Sequence, residues 1–166
     1  MKVSSRAHYG LRAMTQLAGA HGRGLLSLAD IARDELLPLP YLEQLVGELR
    51  RAGLVEGVRG LHGGYRLTRR PDEITVGEIY RVLEGAIAPV ECTAEDYLPH
   101  SCEREAQCLS RSVWMRVRDS IAAVLDSTTL DDLCRSDPAY AAAPLIAVES
   151  IKGLHAVGKD GCLSTP

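Results

Sequence analysis

The 166-residue chain contains no apolar run long enough to cross a bilayer, which excludes a spanning helix on hydropathy grounds. Its first residues, Met1-Lys2-Val3-Ser4-Ser5-Arg6-Ala7-His8, lack the apolar core of a secretory signal, so a cytoplasmic location is expected. Disulfides are rare in that compartment. The five cysteines are therefore expected to serve as ligands, redox thiols or buried apolar residues. No cysteines are paired at the short C-x2-4-C spacing of structural zinc sites. There is also no glycine-rich phosphate loop, no pair of metal-binding histidines, and no motif histidine beside Cys108. A cysteine-dependent or metal enzyme needs a nucleophile held beside a positioned base, so an enzyme is not expected.

Net charge is only −3, but its distribution is uneven. Residues 1–71 hold eleven Lys and Arg against six Asp and Glu, a balance of +5. Residues 72–166 hold eight against sixteen, a balance of −8. A basic front and an acidic back fit one surface for a polyanion and another for something else.

The basic half reads as three helices. From Tyr9 to Ala20, Leu11, Met14, Leu17 and Ala18 recur at helical spacing, and Gly22 and Gly24 end the stretch. Ser27-Leu28-Ala29-Asp30 reads as a capping box opening a short second helix, with Leu28, Ile31 and Ala32 inward. Leu37-Pro38-Leu39-Pro40 predicts an extended break, with Pro40 at or just before the first turn of a third helix ending near Arg51. There Leu42, Leu45, Val46 and Leu49 form the core face, and Tyr41, Glu43, Gln44, Gly47, Glu48 and Arg51 the other. After Gly53, residues Leu54–Val58 and Gly64–Thr68 are strand-like and joined by Arg59-Gly60-Leu61-His62-Gly63. Three helices and a hairpin are the pattern of a winged helix-turn-helix, with a glycine-rich, cationic hairpin tip as the wing.

Beyond Pro71, Thr75-Val76-Gly77-Glu78 reads as another capping box, with Val76, Ile79, Val82 and Leu83 inward. Gly85 to Gln107 is loop-like, with two prolines and five acidic residues, and is expected to be too polar to order itself. Cys92 and Cys102 lie within it and Cys108 follows it. A long helix is predicted from Leu109, with Leu109, Val113, Val117, Ile121, Val124 and Leu125 as one apolar stripe. Such a stripe outside a small head suits a dimer element; packing back on its own head is the alternative. Thr129 to Cys134 reads as a short capped helix, and no role is assigned to the tail containing Cys162. The expected fold class is thus mainly α with a small β-hairpin wing. Residues 1–84 form the DNA-binding head, 85–134 the cysteine loop and dimerisation helix, and 135–166 the tail.

"YLEQLVGELRRAGLVEGVRGLHGGYRL", residues 41–67, resembles the winged-helix iron–sulfur transcriptional regulators of the IscR, NsrR and RirA type. "SSRAHYGLRAM", "TVGEIYRVLEG" and the cysteines before a long helix extend the resemblance over roughly residues 1–134. It implies a homodimer on a double-stranded operator, with the third helix in a major groove and the wing in a flanking minor groove. On that reading Tyr41, Glu43 and Gln44 lie on the recognition helix and Arg59 is the wing arginine. Glutamate suits a cytosine N4 donor, and arginine suits the negative potential of a narrow minor groove. Arg50, Arg51, Arg66, Arg69 and Arg70 are candidates for phosphate contact, which positions without reading sequence.

The resemblance further implies a 2Fe–2S or 4Fe–4S cluster on Cys92, Cys102 and Cys108. Thiolates hold such clusters and the C-x9-C-x5-C spacing suits them better than zinc. Two departures stand out. The first gap is longer than usual for the family, and Arg111 occupies the position where a histidine is expected. His8, near where some relatives supply an N-terminal carboxylate from the partner chain, is the candidate fourth ligand; His100 lies within the loop. Cys134 and Cys162 read as ordinary thiols. The leading function is a dimeric transcriptional repressor whose DNA binding depends on the cluster, as a sensor of iron, redox state or nitric oxide. The alternative drops the cluster and lets the thiols sense oxidants directly.

Overall fold

The computed structural model describes residues 3–60 and 63–135. Leu61 and His62 of the hairpin tip, and the tail with Cys162, lie outside the described residues. The helices are α1 (Ser5–Gly19), α2 (Leu28–Asp34), α3 (Leu39–Arg51), α4 (Val76–Glu84), α5 (Arg111–Ser127) and α6 (Leu130–Cys134). One antiparallel pair of strands, β1 (Val55–Val58) and β2 (Gly64–Leu67), follows α3.

Local sequence explains most of the boundaries. The Ser27 hydroxyl accepts the Asp30 N–H at the start of α2, and Thr75 with Glu78 closes a reciprocal capping box on α4. Each cap of this kind contributes about 1 kcal/mol. Pro38 is extended, but Leu39 and Pro40 are already helical, so the proline break is shorter than expected. Proline is tolerated there because the first helical N–H groups have no partner within the helix.

The first helix begins four residues before its predicted apolar stripe, at Ser5. Ser4 caps it by accepting from the Arg6 and Ala7 N–H groups, and its hydroxyl donates to Glu84 at the end of α4. Gly10 lets those two helices approach: a Cβ there would collide with the Leu83 side chain. The core beneath them is continuous, joining Met14 and Leu17 of α1, Ile31 of α2, and Leu42, Leu45 and Leu49 of α3. Val55 and Leu67 of the hairpin, Ile74 just before α4, and Ile79 and Leu83 of α4 complete it. Full burial of one such side chain favours folding by roughly 1.5–3 kcal/mol.

The strand register pairs Val55 with Leu67, Glu56 with Arg66, Gly57 with Tyr65 and Val58 with Gly64. Only the Val55–Leu67 end is buried, so the hairpin is anchored at its base and bare toward its tip. Leu26 adds an antiparallel bridge to Tyr65, tying the hairpin to the segment before α2.

The second half departs further from expectation. The long helix starts at Arg111 rather than Leu109, and Leu109 is left outside it, almost fully exposed. Cys108 is extended and its carbonyl accepts the Arg111 N–H, so the two residues before Ser110 belong to the turn that ends the cysteine loop. The loop, expected to lack order of its own, holds short 3-10 turns at Glu91–Thr93 and Glu105–Gln107. Its carboxylates are partly neutralised: Glu95 pairs with Arg81 and Glu105 with Arg111. Thr129 and Asp132 form the capping box of α6, whose Leu130 is fully buried in the head core. The Leu130 N–H donates to the Ile74 carbonyl, and the Val76 N–H to that of Thr128. The chain therefore returns to the head after its long helix.

Candidate nucleic-acid interface and cysteine site

Helix α3 buries Leu42, Leu45, Val46 and Leu49 and leaves Glu43, Gln44, Arg50 and Arg51 exposed, the division its periodicity predicts. Glu43 and Gln44 make no side-chain hydrogen bond among the described residues and so keep their bonding capacity for a partner. Two members of the expected outer face behave differently. Glu48 is engaged by Arg6 at 2.7 Å, and that arginine also donates to the Leu83 carbonyl. Tyr41 is half-buried, with its ring edge-on to Tyr9 at 6.1 Å. Its position reflects packing as much as outward display.

Six arginines of α3, the hairpin and the segment after it fall into two sets. Arg50, Arg51 and Arg59 are exposed and make no hydrogen bond or ion pair among the described residues. Arg66 pairs with Glu56 at 2.6 Å across the strands, Arg69 with Glu78 at 2.8 Å, and Arg70 with Asp72 at 2.8 Å. Exposed pairs of this kind are worth only about 0–1 kcal/mol and are exchangeable for a phosphate. The Glu56–Arg66 pair follows from the observed hairpin register, the Arg69–Glu78 pair joins the segment after β2 to α4, and the Arg70–Asp72 pair is local, between residues two apart. Near the hairpin tip a Cβ at Gly63 would overlap the Val58 carbonyl and the Gly60 backbone. Gly63 thus packs closely against the backbone on either side of Arg59.

The cysteine site is built from both ends of the loop. Cys92 and Cys102 line one open cavity with Glu91, Asp96, Tyr97 and Ser101. Cys108 does not line that cavity. Its sulfur lies 3.4 Å from the Ser110 hydroxyl, which, with the Arg111 and Ser110 N–H groups and the Arg104 charge, holds the thiol below its ordinary range against desolvation. All three are free thiols, and partly exposed. Cys134, by contrast, is packed against the core, and burial pushes its thiol up.

Arg111 folds back over this loop instead of presenting a ligand. Its guanidinium lies 5.7 Å from the Tyr97 ring centre and 3.3 Å from Glu105. Glu105 also accepts from the Tyr97 hydroxyl and the His100 N–H, and the His100 N–H bond leads the causes that hold its carboxyl low. His8 stands on α1 at an apolar cavity of about 220 Å³ shared with Val76, Ile79 and Tyr80 of α4 and Ile121 and Leu125 of α5. None of the three loop cysteines lines that cavity. The donors are of the kind iron takes, three thiols from one loop. They are not gathered, however: among the described residues no three His, Cys, Asp or Glu side chains converge closely enough to hold a metal ion.

The ties from loop to head were invisible in the sequence. Arg81 of α4 bonds Glu95 of the loop at 2.8 Å and Asp126 of α5 at 2.6 Å. Glu95 in turn accepts the Ile87 N–H, and Arg118 of α5 donates to the Thr93 carbonyl. Gly77 makes room for this junction, since a Cβ there would collide with the Asp126 carboxylate. No helix among the described residues is long and apolar enough to cross a membrane.

The family model for Rrf2, described as an iron-dependent transcriptional regulator, matches residues 3–136. The HTH-type transcriptional regulator CymR of Bacillus subtilis (strain 168) is 50% identical over 133 residues, covering 80% of this chain and 89% of that protein. The HTH-type transcriptional regulator IscR of Aliivibrio salmonicida is 36% identical over 133 residues, covering 80% and 77%. Among solved structures, the B. subtilis global cysteine regulator CymR superposes with a TM-score of 0.67 at 49% identity, covering 82% of this chain and 98% of that one. T. potens IscR gives a TM-score of 0.68 at 44% identity, covering 84% and 90%. These relatives are regulators and not enzymes. The chain belongs to the Rrf2 family of DNA-binding, winged-helix transcriptional regulators.

Proposed function

We propose that the protein is a homodimeric repressor that binds a two-fold operator and reports the state of its three loop cysteines to that DNA. The observation that carries this reading is a division of labour among the side chains. Exposed Glu43, Gln44, Arg50, Arg51 and Arg59 have no partners within the described chain, while the cysteine loop is bonded to both α4 and α5. In this reading Tyr41, Glu43 and Gln44 meet the major groove, Arg59 enters a minor groove, and Arg50, Arg51 and Arg66 take phosphate. The dimer forms through α5, whose Val113 and Trp114 are 54% and 40% exposed. Its Ile121 and Leu125, by contrast, already lean on the head. The site of action is the cytoplasm.

Cys92, Cys102 and Cys108 would hold an iron–sulfur cluster, 2Fe–2S or 4Fe–4S, with His8 of the partner subunit as candidate fourth ligand. The cluster supplies iron chemistry that is labile to oxygen and nitric oxide. The match to an iron-dependent family supports this. What the chain itself does is couple the loop to the reader: Arg81 joins Glu95, three residues from Cys92, to the helix that packs against α1 and α3. Loosening of the loop alters how the two heads are spaced, and spacing decides whether both recognition helices meet half-sites one turn of DNA apart.

A second reading has its own observation. The Cys108 thiol is held low by the Ser110 hydroxyl, and Arg111 stands where a ligand is expected, which favours direct thiol sensing without a cluster. A relative known as a global cysteine regulator points the same way. Anaerobic purification separates the two readings. The first requires a brown protein with visible charge-transfer absorption, lost in a Cys92/Cys102/Cys108 triple alanine variant and weakened by His8→Ala. A colourless protein whose operator binding responds to oxidant through those thiols replaces it with the second. Equal operator affinity in wild type and triple variant, both with and without oxidant, excludes both. For the DNA surface, Arg59→Ala should weaken operator binding strongly. Glu43→Ala should relax base preference, by about 1–3 kcal/mol at the base it reads.

A further inference from the structure

The turn between α2 and α3 contains a residue that the fold does not explain. Helix α2 ends in a Schellman motif: the Leu37 N–H donates to the Ala32 carbonyl at 2.8 Å, and the Leu36 N–H to the Arg33 carbonyl at 3.3 Å. The residue between the cap and Leu37 must be left-handed, and glycine is the usual occupant. Here it is leucine. Leu36 has φ +53, a conformation its Cβ disfavours, and its residue surface is 90% exposed. Leu37 beside it is buried and performs the apolar contact such motifs use. Leu36 therefore adds backbone strain and returns almost no burial.

Its neighbours share that character. Pro38 and Pro40 are also exposed, and both lack an N–H. The leading end of α3 consequently offers few of the backbone donors that a helix N-terminus normally presents to phosphate. It offers an apolar edge instead, formed by Leu36, Pro38 and Pro40 in a turn whose next outward residues are Glu43 and Gln44. In a helix-turn-helix the first residues of the recognition helix approach base edges in the major groove. The apolar feature of that groove is the C5-methyl group of thymine.

We propose that Leu36 is a specificity-determining residue, placed to contact thymine methyl groups at the edge of the sequence read by α3. The inference rests on α3 being the recognition helix. Strain at an exposed leucine is then the cost of a reading contact that glycine could not make.

The test uses full-length protein and a duplex that the wild type selects from a random-sequence pool. Thymines in that duplex are replaced one at a time by uracil, which removes only the methyl group. Wild type should lose roughly three- to fivefold in affinity at one thymine per half-site or more, as expected for losing one buried methyl group. Leu36→Gly should bind the thymine duplex more weakly and show no uracil penalty at those positions. Leu36→Met, which keeps an apolar reach, should retain the penalty. Leu36→Gly should also unfold at a temperature no lower than wild type, because glycine suits the left-handed position. Uracil penalties that are absent, or identical in wild type and Leu36→Gly, would overturn the proposal while leaving α3 as reader. A lower unfolding temperature for Leu36→Gly would show a packing role and overturn it too. If the wild type selects no sequence at all, the reading of α3 fails first, and this proposal with it.

Discussion

The head and the cysteine arm are held together by different forces. In the head, Met14, Leu17, Ile31, Leu42, Leu45, Leu49 and Ile79 are almost wholly removed from water. In α5 no residue is buried, and in the loop before it only Ile87 and Thr93 are. What replaces a core there is a handful of directed contacts centred on Arg81, Glu95, Asp126, Glu105 and Arg111. Apolar burial is non-directional and tolerates no intermediate position, so the head is a fixed reader. Ion pairs at partly exposed sites are weak and reversible, so the arm can change its attachment without unfolding the head.

The largest effect should come from breaking the first kind of order. Leu45→Ala removes a fully buried side chain from the recognition helix and should destabilise the protein by about 2–5 kcal/mol. Denaturant unfolding measures it directly, and operator binding should fall with folded fraction. Val113→Ala on exposed α5 should cost far less in a monomer. Any large loss there would report burial by a second subunit. That contrast is sharpened by a Val117→Lys, Ile121→Lys variant, which should sediment as a monomer; an unchanged dimer would remove α5 from the interface.

How much of this was legible depends on which force is at work. The head was readable because its order is local and periodic. Ser27 and Thr75 announced their helices, the spacing of Leu42, Leu45, Val46 and Leu49 gave the buried face of α3, and Gly53 marked its end. Even so, α1 began earlier than its apolar stripe, because a capping serine tied to Glu84 is a tertiary contact. The arm was read poorly. Leu109 looked like the head of a helix by periodicity, yet the turn closing the cysteine loop took it. The loop looked too polar to order itself because the arginines that pair with two of its carboxylates lie outside it, Arg81 14 residues before Glu95 and Arg111 beyond Glu105. Side-chain ties of that kind leave no periodic trace. The cysteines were easily found as candidates, but their spacing did not reveal that Cys108 would lie apart from the cavity lined by Cys92 and Cys102.

A smaller perturbation should act on the arm alone. Gly77→Ala places a Cβ where the Asp126 carboxylate sits against Arg81. Because that carboxylate is the far end of a flexible side chain, it can swing away, and the helix itself gains a better former. The expected change in global stability is within about 1 kcal/mol. Yet amide exchange in α5 and residues 86–95 should accelerate, and the operator response to the state of the cysteines should weaken. Uniform exchange rates would mean that Arg81 holds nothing in place.

The gentlest break is by pH, and its sign follows from Glu95. Its carboxyl is held below the ordinary value of 4.5, first by hydrogen bonding to Arg81 and then by the Ile87 N–H and the Arg81 and Arg118 charges, against desolvation. A carboxyl depressed in the folded state adds stability that is fully present above the unfolded value and is lost as pH falls through the folded one. The Arg81–Glu95 tie should therefore hold at neutral pH and fail only below about 4.5, on the acid side. Arg81 itself stays charged throughout, since Glu95 and Asp126 raise its affinity for the proton. The single tryptophan makes this observable, because Trp114 lies on α5 and none lies in the head. Its fluorescence should shift during acidification before the far-ultraviolet circular dichroism of the head changes. In Glu95→Gln, which keeps a weaker neutral hydrogen bond but does not titrate, that early shift should shrink while the later transition stays in place. Coincident transitions in both proteins would mean that head and arm respond as one unit, and the distinction between a fixed reader and a detachable arm would fail.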